Sequence, residues 1–302
     1  MHDPAAPAAA AVIGAQAHPS STLVDRVHRR LRQGPELASI LCHEVIGLPG
    51  APDLVCERVA VALLGADPRV RQLADGRWGL VAEAQGSPLL DQCSFAVVDV
   101  ETTGMRAIGS DRITEIAVVV VQGGRREVVL DTLINPGRPI PPAICAITNI
   151  TNDMVRDAPV FGELADQVLA ALSGRIFVAH NARFDWNFVT AELQRSRDLV
   201  LDGPRLCTVR LARRLVRGIR SCGLDSLTRW FGFENRSRHR AAGDALVTAE
   251  LLHRLLELAR QDGARTLQDL AAIEARRTGR RARARRLAMP TPPREDSCPE
   301  AM

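Results

Sequence analysis

The 302-residue chain contains no lysine and no tyrosine; all 39 of its basic residues are arginine. A GC-rich coding bias accounts for both absences, yet each excludes chemistry. Without lysine there is no phosphate-loop lysine and no Schiff base. Long hydrophobic runs are missing as well. The longest, Ile116–Val121, is six residues, against the ~20 that a membrane-spanning helix needs. The first residues, Met1-His2-Asp3-Pro4, lack the basic stretch of a signal peptide. Seven cysteines are scattered, odd in number and never spaced C-x-x-C. That pattern excludes a disulfide framework and a zinc knuckle, and it points to a reducing cytoplasm with no membrane contact.

What is present fits a globular protein of about two domains. The chain is 46% hydrophobic and 25% charged, which excludes wholesale disorder. Its net charge of +4 is uneven: residues 1–94 carry 8 Arg against 10 acids, and residues 261–302 carry 9 against 6. Seven arginines and no acid lie between Arg276 and Arg286. Such a cluster is either a phosphate contact that releases counterions or a solvated helix end.

Along the chain, residues 1–20 are Ala/Pro-rich and read as a disordered tail. Residues 21–84 follow a compact pattern: helices near 23–31, 35–45 and 53–64, then two short strands around the Asp75-Gly76 turn. Three helices and a hairpin are the order of a winged helix, and Gly76-Arg77-Trp78-Gly79-Leu80 resembles its wing strand. This segment is net acidic and its third helix is mostly apolar, so a protein-docking or spacer role competes with DNA binding. Residues 84–93 read as a linker. From Ser94 the texture changes to strands at 95–101, 113–121 and 126–134, with Gly123-Gly124 signalling a hairpin. Helical periodicity then alternates with a short strand at 176–179. The expected fold over 94–260 is an α/β layer built on a mixed sheet, followed by an Arg-rich tail over 261–302.

Chemistry concentrates in three fragments. Asp99 and Glu101 stand at i and i+2 on a strand, so both carboxylates project from one face. Like charges that close raise one another's pKa unless a cation binds, although a strand end with solvated acids gives the same pattern. Asp185, in His180-Asn181-Ala182-Arg183-Phe184-Asp185, follows a strand and falls in the first turn of a helix, where an acid also complements the helix dipole. Asp244 opens the last long helix. His239, five residues earlier, would diverge from it by about 140° on one regular helix, so it is expected in the preceding loop. Four carboxylates without cysteine are hard oxygen donors suited to Mg²⁺ or Mn²⁺. Two such ions stabilise the attacking and leaving oxygens of an in-line displacement at phosphorus, and a histidine suits deprotonation of the attacking water.

Together, F-A-V-V-D-V-E-T-T-G, H-N-A-R-F-D and H-R-A-A-G-D resemble the three motifs of the DEDDh, or DnaQ-like, 3′→5′ exonucleases, the family of the proofreading epsilon subunit of bacterial DNA polymerase III. The similarity spans about Ser94 to Arg260. It includes I-N-P-G-R-P-I-P-P (134–142) and I-T-N-D-M-V (150–155). The resemblance implies an RNase H-like fold with two divalent ions held by Asp99, Glu101, Asp185 and Asp244. It makes His239 the general base and nucleoside 5′-monophosphates the products. The sister subclass uses tyrosine in the third motif, which this chain lacks. Thr102 and Thr103 match positions near the terminal nucleotide, Phe184 matches a substrate-binding position beside the second-motif Asp185, and Ile150 is expected to wedge against the terminal base. Thr148-Asn149 stands where epsilon-type members show His-Gly.

Glu115 reads as a supporting acid, His180 as a packed neighbour, and Trp186 and Trp230 as core. Arg210, Arg213 and Arg214 line either a nucleic-acid path or a solvated helix face. The expected partners are nucleic-acid 3′ ends, DNA in preference to RNA, with a DNA polymerase or repair protein in trans. RNA 3′-end trimming and a catalytically silent docking module are the alternatives.

Overall fold

The computed structural model describes residues 14–19, 22–31, 34–81, 87–234 and 238–276. Its centre is a five-stranded mixed sheet. Strands β4 (Ser94–Thr102), β5 (Ile113–Gln122) and β6 (Arg125–Leu133) form an antiparallel meander; β7 (Ile176–Ala179) and β9 (Arg205–Cys207) continue it in parallel with β4, in the order β6-β5-β4-β7-β9. This is the RNase H-like arrangement. Gly123 and Gly124, at φ 55° and 80°, turn β5 into β6, the mirror-image geometry a tight hairpin demands.

Helices cover both faces, which is why the strands are almost continuously apolar. From β4, Phe95 and Val97 point into a core shared with α8 (Thr208–Leu215) and the long α10 (Ala241–Gln261). Ala96, Val98 and Val100 point the other way, into a core with α6 (Phe161–Leu172) and α7 (Arg183–Arg197). Phe177 meets Trp186 edge-on in this second core, with ring centroids 5.1 Å apart. Asp99 and Glu101 extend the Phe95/Val97 row, so the strand alternation itself aims both acids toward α10.

The N-terminal unit consists of α1 (Thr22–Leu31), α2 (Ala38–Ile40) running into a π-helical turn at Leu41–Ile46, α3 (Asp53–Leu64), and the hairpin β2 (Val70–Gln72)/β3 (Trp78–Leu80). Glu36 adds a bridge to Trp78, which is buried in this unit's own core. Three helical segments and a hairpin therefore occur in the expected order.

Two tail expectations are corrected. Within residues 1–20, Gln16–Pro19 form a strand, β1, paired antiparallel with β8 (Leu199–Asp202). Residues 1–13 lie outside the described residues. At the other end, Leu267–Ala275 form a helix, α11, that buries Leu267, Leu270 and Ile273 in the core beside α10. Its physical origin is a capping box: Thr266 accepts from Asp269 N–H, while Asp269 accepts from Thr266 N–H. The arginines from 277 to 286 lie outside the described residues. The linker is also docked in part, since Leu90 N–H donates to Arg265 C=O at 2.9 Å and Leu267 N–H to Pro88 C=O at 3.0 Å. Short β8 and β9 and the helices at Pro142–Thr148 and Asn152–Val155 are further elements that periodicity did not reveal; the helix expected from Leu206 begins at Thr208. Among the described residues, no helix is long and apolar enough to cross a membrane.

Candidate active site

The C-terminal ends of β4 and β7 and the first turns of α7 and α10 converge beside the sheet. Asp185 is 3% exposed in the first turn of α7, and its Oδ1 accepts from the Val100 N–H at 3.2 Å. That bond ties the helix acid to the strand between Asp99 and Glu101. Asp244 is buried in the first turn of α10. His239 lies outside that helix, in left-handed backbone geometry at φ 58°, and its N–H donates to Asp244 Oδ2 at 3.2 Å. The side-chain donor atoms of Glu101, His239 and Asp244 lie within 4.8 Å of one another.

This crowding has an electrostatic signature. Burial, followed by the charges of Asp185, Asp244 and Glu101, pushes the Asp99 carboxyl well above its ordinary range. Burial, then Asp244, Glu115 and Asp185, pushes Glu101 up to about 8, with Arg240 opposing. Burial raises Asp185 to about 7 against its backbone hydrogen bonds. Acids gathered on the ends of two strands and two helices are costly unless a cation joins them. An all-oxygen carboxylate set with one imidazole suits a hard divalent metal ion.

Supporting residues form a layer that the sequence disclosed only in part. Glu115, opposite Glu101 on β5, is 1% exposed. It accepts from Arg240 Nε and Nη2 at 2.9 and 2.5 Å and from the Ala241 N–H at 2.8 Å. Its partnership with the residue after His239 was not foreseen. Glu192, equally buried on α7, receives a bidentate grip from Arg112 at 2.6 and 2.7 Å. The signal for Glu192 was present: Asp185, Phe188, Val189 and Glu192 recur at the spacing of one buried helix face, an unusual place for two acids.

The remaining expected residues are distributed differently. Thr102 and Thr103 are buried and engaged internally: Thr102 Oγ1 donates to Gly104 C=O at 2.6 Å, and Thr103 Oγ1 accepts from the Arg112 N–H at 3.0 Å. They shape the loop that follows β4. Phe184 packs at 4.9 Å on Phe188 and lines an open cleft of about 450 Å³ with Met105, Ile108 and Asn187. Ile150 requires a correction. It is fully buried with Ile140 and Val155 in a separate small core, so it is not presented to a nucleotide. Asn149, left-handed at φ 57°, ends α4 (Pro142–Thr148) and turns Ile150 inward, ahead of the short α5 (Asn152–Val155). His180 bonds Thr208 Oγ1 at 2.9 Å, and burial pushes it down to about 4. It is a neutral, packed neighbour at pH 7.

The family profile described as Exonuclease matches residues 96–252. The chain belongs to this exonuclease family. Asp99, Glu101, Asp185, His239 and Asp244 all fall within the matched residues. Over 213 residues it is 39% identical to the DNA polymerase III subunit epsilon-like protein of Rhodobacter capsulatus, covering 68% of this chain and 29% of that protein. It is 34% identical to the DNA polymerase III subunit epsilon of Aquifex aeolicus, over 54% of this chain and 81% of that one. Among solved structures it resembles exonuclease X in complex with 5′ overhanging duplex DNA, at 30% identity and a TM-score of 0.49, covering 60% of this chain and 99% of that one. The exonuclease chain spans 18–29% of the length of four relatives that include the R. capsulatus protein.

Proposed function

We propose that this nuclease is a 3′→5′ exonuclease that releases nucleoside 5′-monophosphates one at a time from DNA 3′ ends. The observation that carries the reading is the convergence of Glu101, Asp244 and His239 within 4.8 Å, with Asp185 bonded to the strand between Asp99 and Glu101. Asp99, Glu101, Asp185 and Asp244 would hold two divalent ions, Mg²⁺ or Mn²⁺. When bound, the ions supply charge stabilisation to the attacking and leaving oxygens at phosphorus.

His239 is the general base in this reading. Its backbone is fixed from both sides, by Asp244 through its own N–H and by Glu115 through Arg240. A neutral imidazole there takes the proton of the attacking water. Its side-chain nitrogen lies within 4.8 Å of the carboxylate oxygens of Glu101 and Asp244. Phe184 and the Met105–Gly109 loop border a cleft large enough for a terminal nucleoside, and the aromatic edge offers a surface for a base.

The names of the epsilon relatives support DNA as the substrate and a polymerase or repair protein as a partner in trans. The test is a degradation ladder on 5′-labelled single-stranded DNA, recessed and mismatched DNA ends and RNA, with Mg²⁺ or Mn²⁺. Metal-dependent shortening from the 3′ end, lost in Asp99→Ala, is the expected result. Stronger shortening of RNA would transfer the reading to RNA 3′-end trimming. No shortening by folded, metal-loaded protein would leave a docking module.

A further inference from the structure

A second surface lies outside the carboxylate centre, at the corner between α8 and α9 (Leu224–Phe231). From Arg205 to Arg220 the chain carries six arginines and no acid in sixteen residues. Helix α8 turns Leu211, Ala212 and Leu215 into the core and leaves Arg213 in solvent; Arg217 and Arg220 are exposed on the loop that follows. Among the described residues, Arg213, Arg217 and Arg220 carry no ion pair, whereas Arg210 is paired with Glu274 and Arg238 with Asp225. Exposed Arg229 adds a fourth guanidinium from α9.

Trp230, expected in the core, is instead 42% exposed; it follows Arg229 in the chain. The other two tryptophans, Trp78 and Trp186, are buried. The indole lies over the loop at Gly218, whose absent Cβ would sit 3.4 Å from the ring; Gly218 also has φ 83°. A large aromatic left in water over an arginine-bearing loop matches a polynucleotide strand, which presents phosphates and base faces together. The corner also abuts the acidic centre. The backbone of Cys222, at the end of the loop, interacts with His180, and Asp225 of α9 holds Arg238 beside His239.

We propose that Arg213, Arg217, Arg220, Arg229 and Trp230 form a phosphate-and-base contact for the strand beyond the terminal nucleotides. The proposal rests on the reading of the protein as a polynucleotide exonuclease. A solvated arginine-rich corner would have the same sequence, so the distinction must come from binding.

The test uses the full chain in chelator, which prevents hydrolysis, and compares an oligodeoxynucleotide of about 20 nucleotides with a trinucleotide. Replacing Arg217 and Arg220 together by Gln is expected to weaken binding of the long strand about tenfold at moderate salt. It should also reduce its log–log salt slope by about 0.7 for each phosphate that the variant no longer neutralises. The trinucleotide, which offers the corner fewer phosphates, should be weakened less than the long strand. A separate readout is tryptophan fluorescence: the long strand should quench the parent and not Trp230→Phe. An unchanged slope together with unchanged quenching overturns the proposal, as does equal weakening on both lengths. A parent that binds no oligonucleotide of either length would overturn the exonuclease reading itself.

Discussion

Glu115 and Arg240 form the ion pair that sets the loop carrying His239. The carboxylate is buried on β5 while the guanidinium is 41% exposed, so the two partners contribute unequally. Arg240→Ala strands a buried charge beside the Ala241 N–H, and should cost about 3 kcal/mol. Glu115→Gln keeps an acceptor for that N–H and releases Arg240 toward water, and should cost about 1–2 kcal/mol. Urea denaturation of both variants checks the order. Equal, negligible losses would remove the pair from any role in fixing the loop.

His239→Ala should lower single-turnover hydrolysis by about 10²–10⁴, the range of a missing general base. Titration with Mn²⁺ by calorimetry separates this from a ligand role, because a base can be removed while the carboxylates still bind the ion. Loss of Mn²⁺ binding in step with turnover would make His239 a ligand instead. The geometry keeps that alternative testable, since the imidazole lies within the same 4.8 Å cluster as Glu101 and Asp244.

The raised carboxyls imply a pH dependence whose sign is opposite to that of a salt-bridged acid. Unfolded, Glu101 and Asp185 ionise at about 4; folded and metal-free, they keep their protons to about 8 and about 7. Between those limits the folded state binds more protons, so their contribution to stability falls as pH rises. Melting temperature in chelator should therefore drop between about pH 5 and pH 8. Asp185→Asn should flatten the drop and gain on the order of 1–3 kcal/mol at the upper end. Divalent ion should raise the melting temperature more at pH 8 than at pH 5. A metal effect independent of pH would mean that the carboxyls are already ionised without it.

Legibility in the sequence followed the range of the interactions. Asp99 and Glu101 share a face because strands alternate, and His239 leaves the helix because 3.6 residues per turn would aim it away from Asp244; both are local rules. The long apolar strand β5 and the Gly123-Gly124 turn were equally local. What escaped depends on distant partners. Gln16–Pro19 become a strand only because Leu199–Asp202 offer an edge, and Gln-Ala-His-Pro carries no strand periodicity of its own. Ile150 looked available beside a site motif, but its side chain belongs to Ile140 and Val155. Helix α11 is the exception. Its Thr266-x-x-Asp269 cap stands in the sequence, and the neighbouring arginine cluster drew the reading toward a tail instead.

Arg69 provides the test of whether the N-terminal unit acts as one body with the nuclease fold. Only 7% exposed, it pairs with Asp67 at 2.7 Å within its own unit, with Asp25 of α1 at 3.4 Å and with Asp202 of β8 at 3.4 Å. It also contacts His18 of β1. Burial pushes Asp67 upward, but the hydrogen bonds and charge of Arg69 outweigh it and hold that carboxyl below its ordinary value. His28 reaches Asp202 at 3.1 Å, so Asp202 is gripped from two elements of the N-terminal unit. Removing the cation leaves three acids facing one another at partly buried positions, and Arg69→Ala should cost about 3–5 kcal/mol. Arg69→Lys should not restore it, because one ammonium cannot reproduce a fork that bonds several carboxylates at once. Hydrogen exchange supplies the local readout: amides of β1 and β8 should exchange faster in Arg69→Ala, while those of β4 and β5 stay protected. Uniformly faster exchange across both groups would show that the cluster stabilises the whole fold and does not serve specifically as the joint between its two parts.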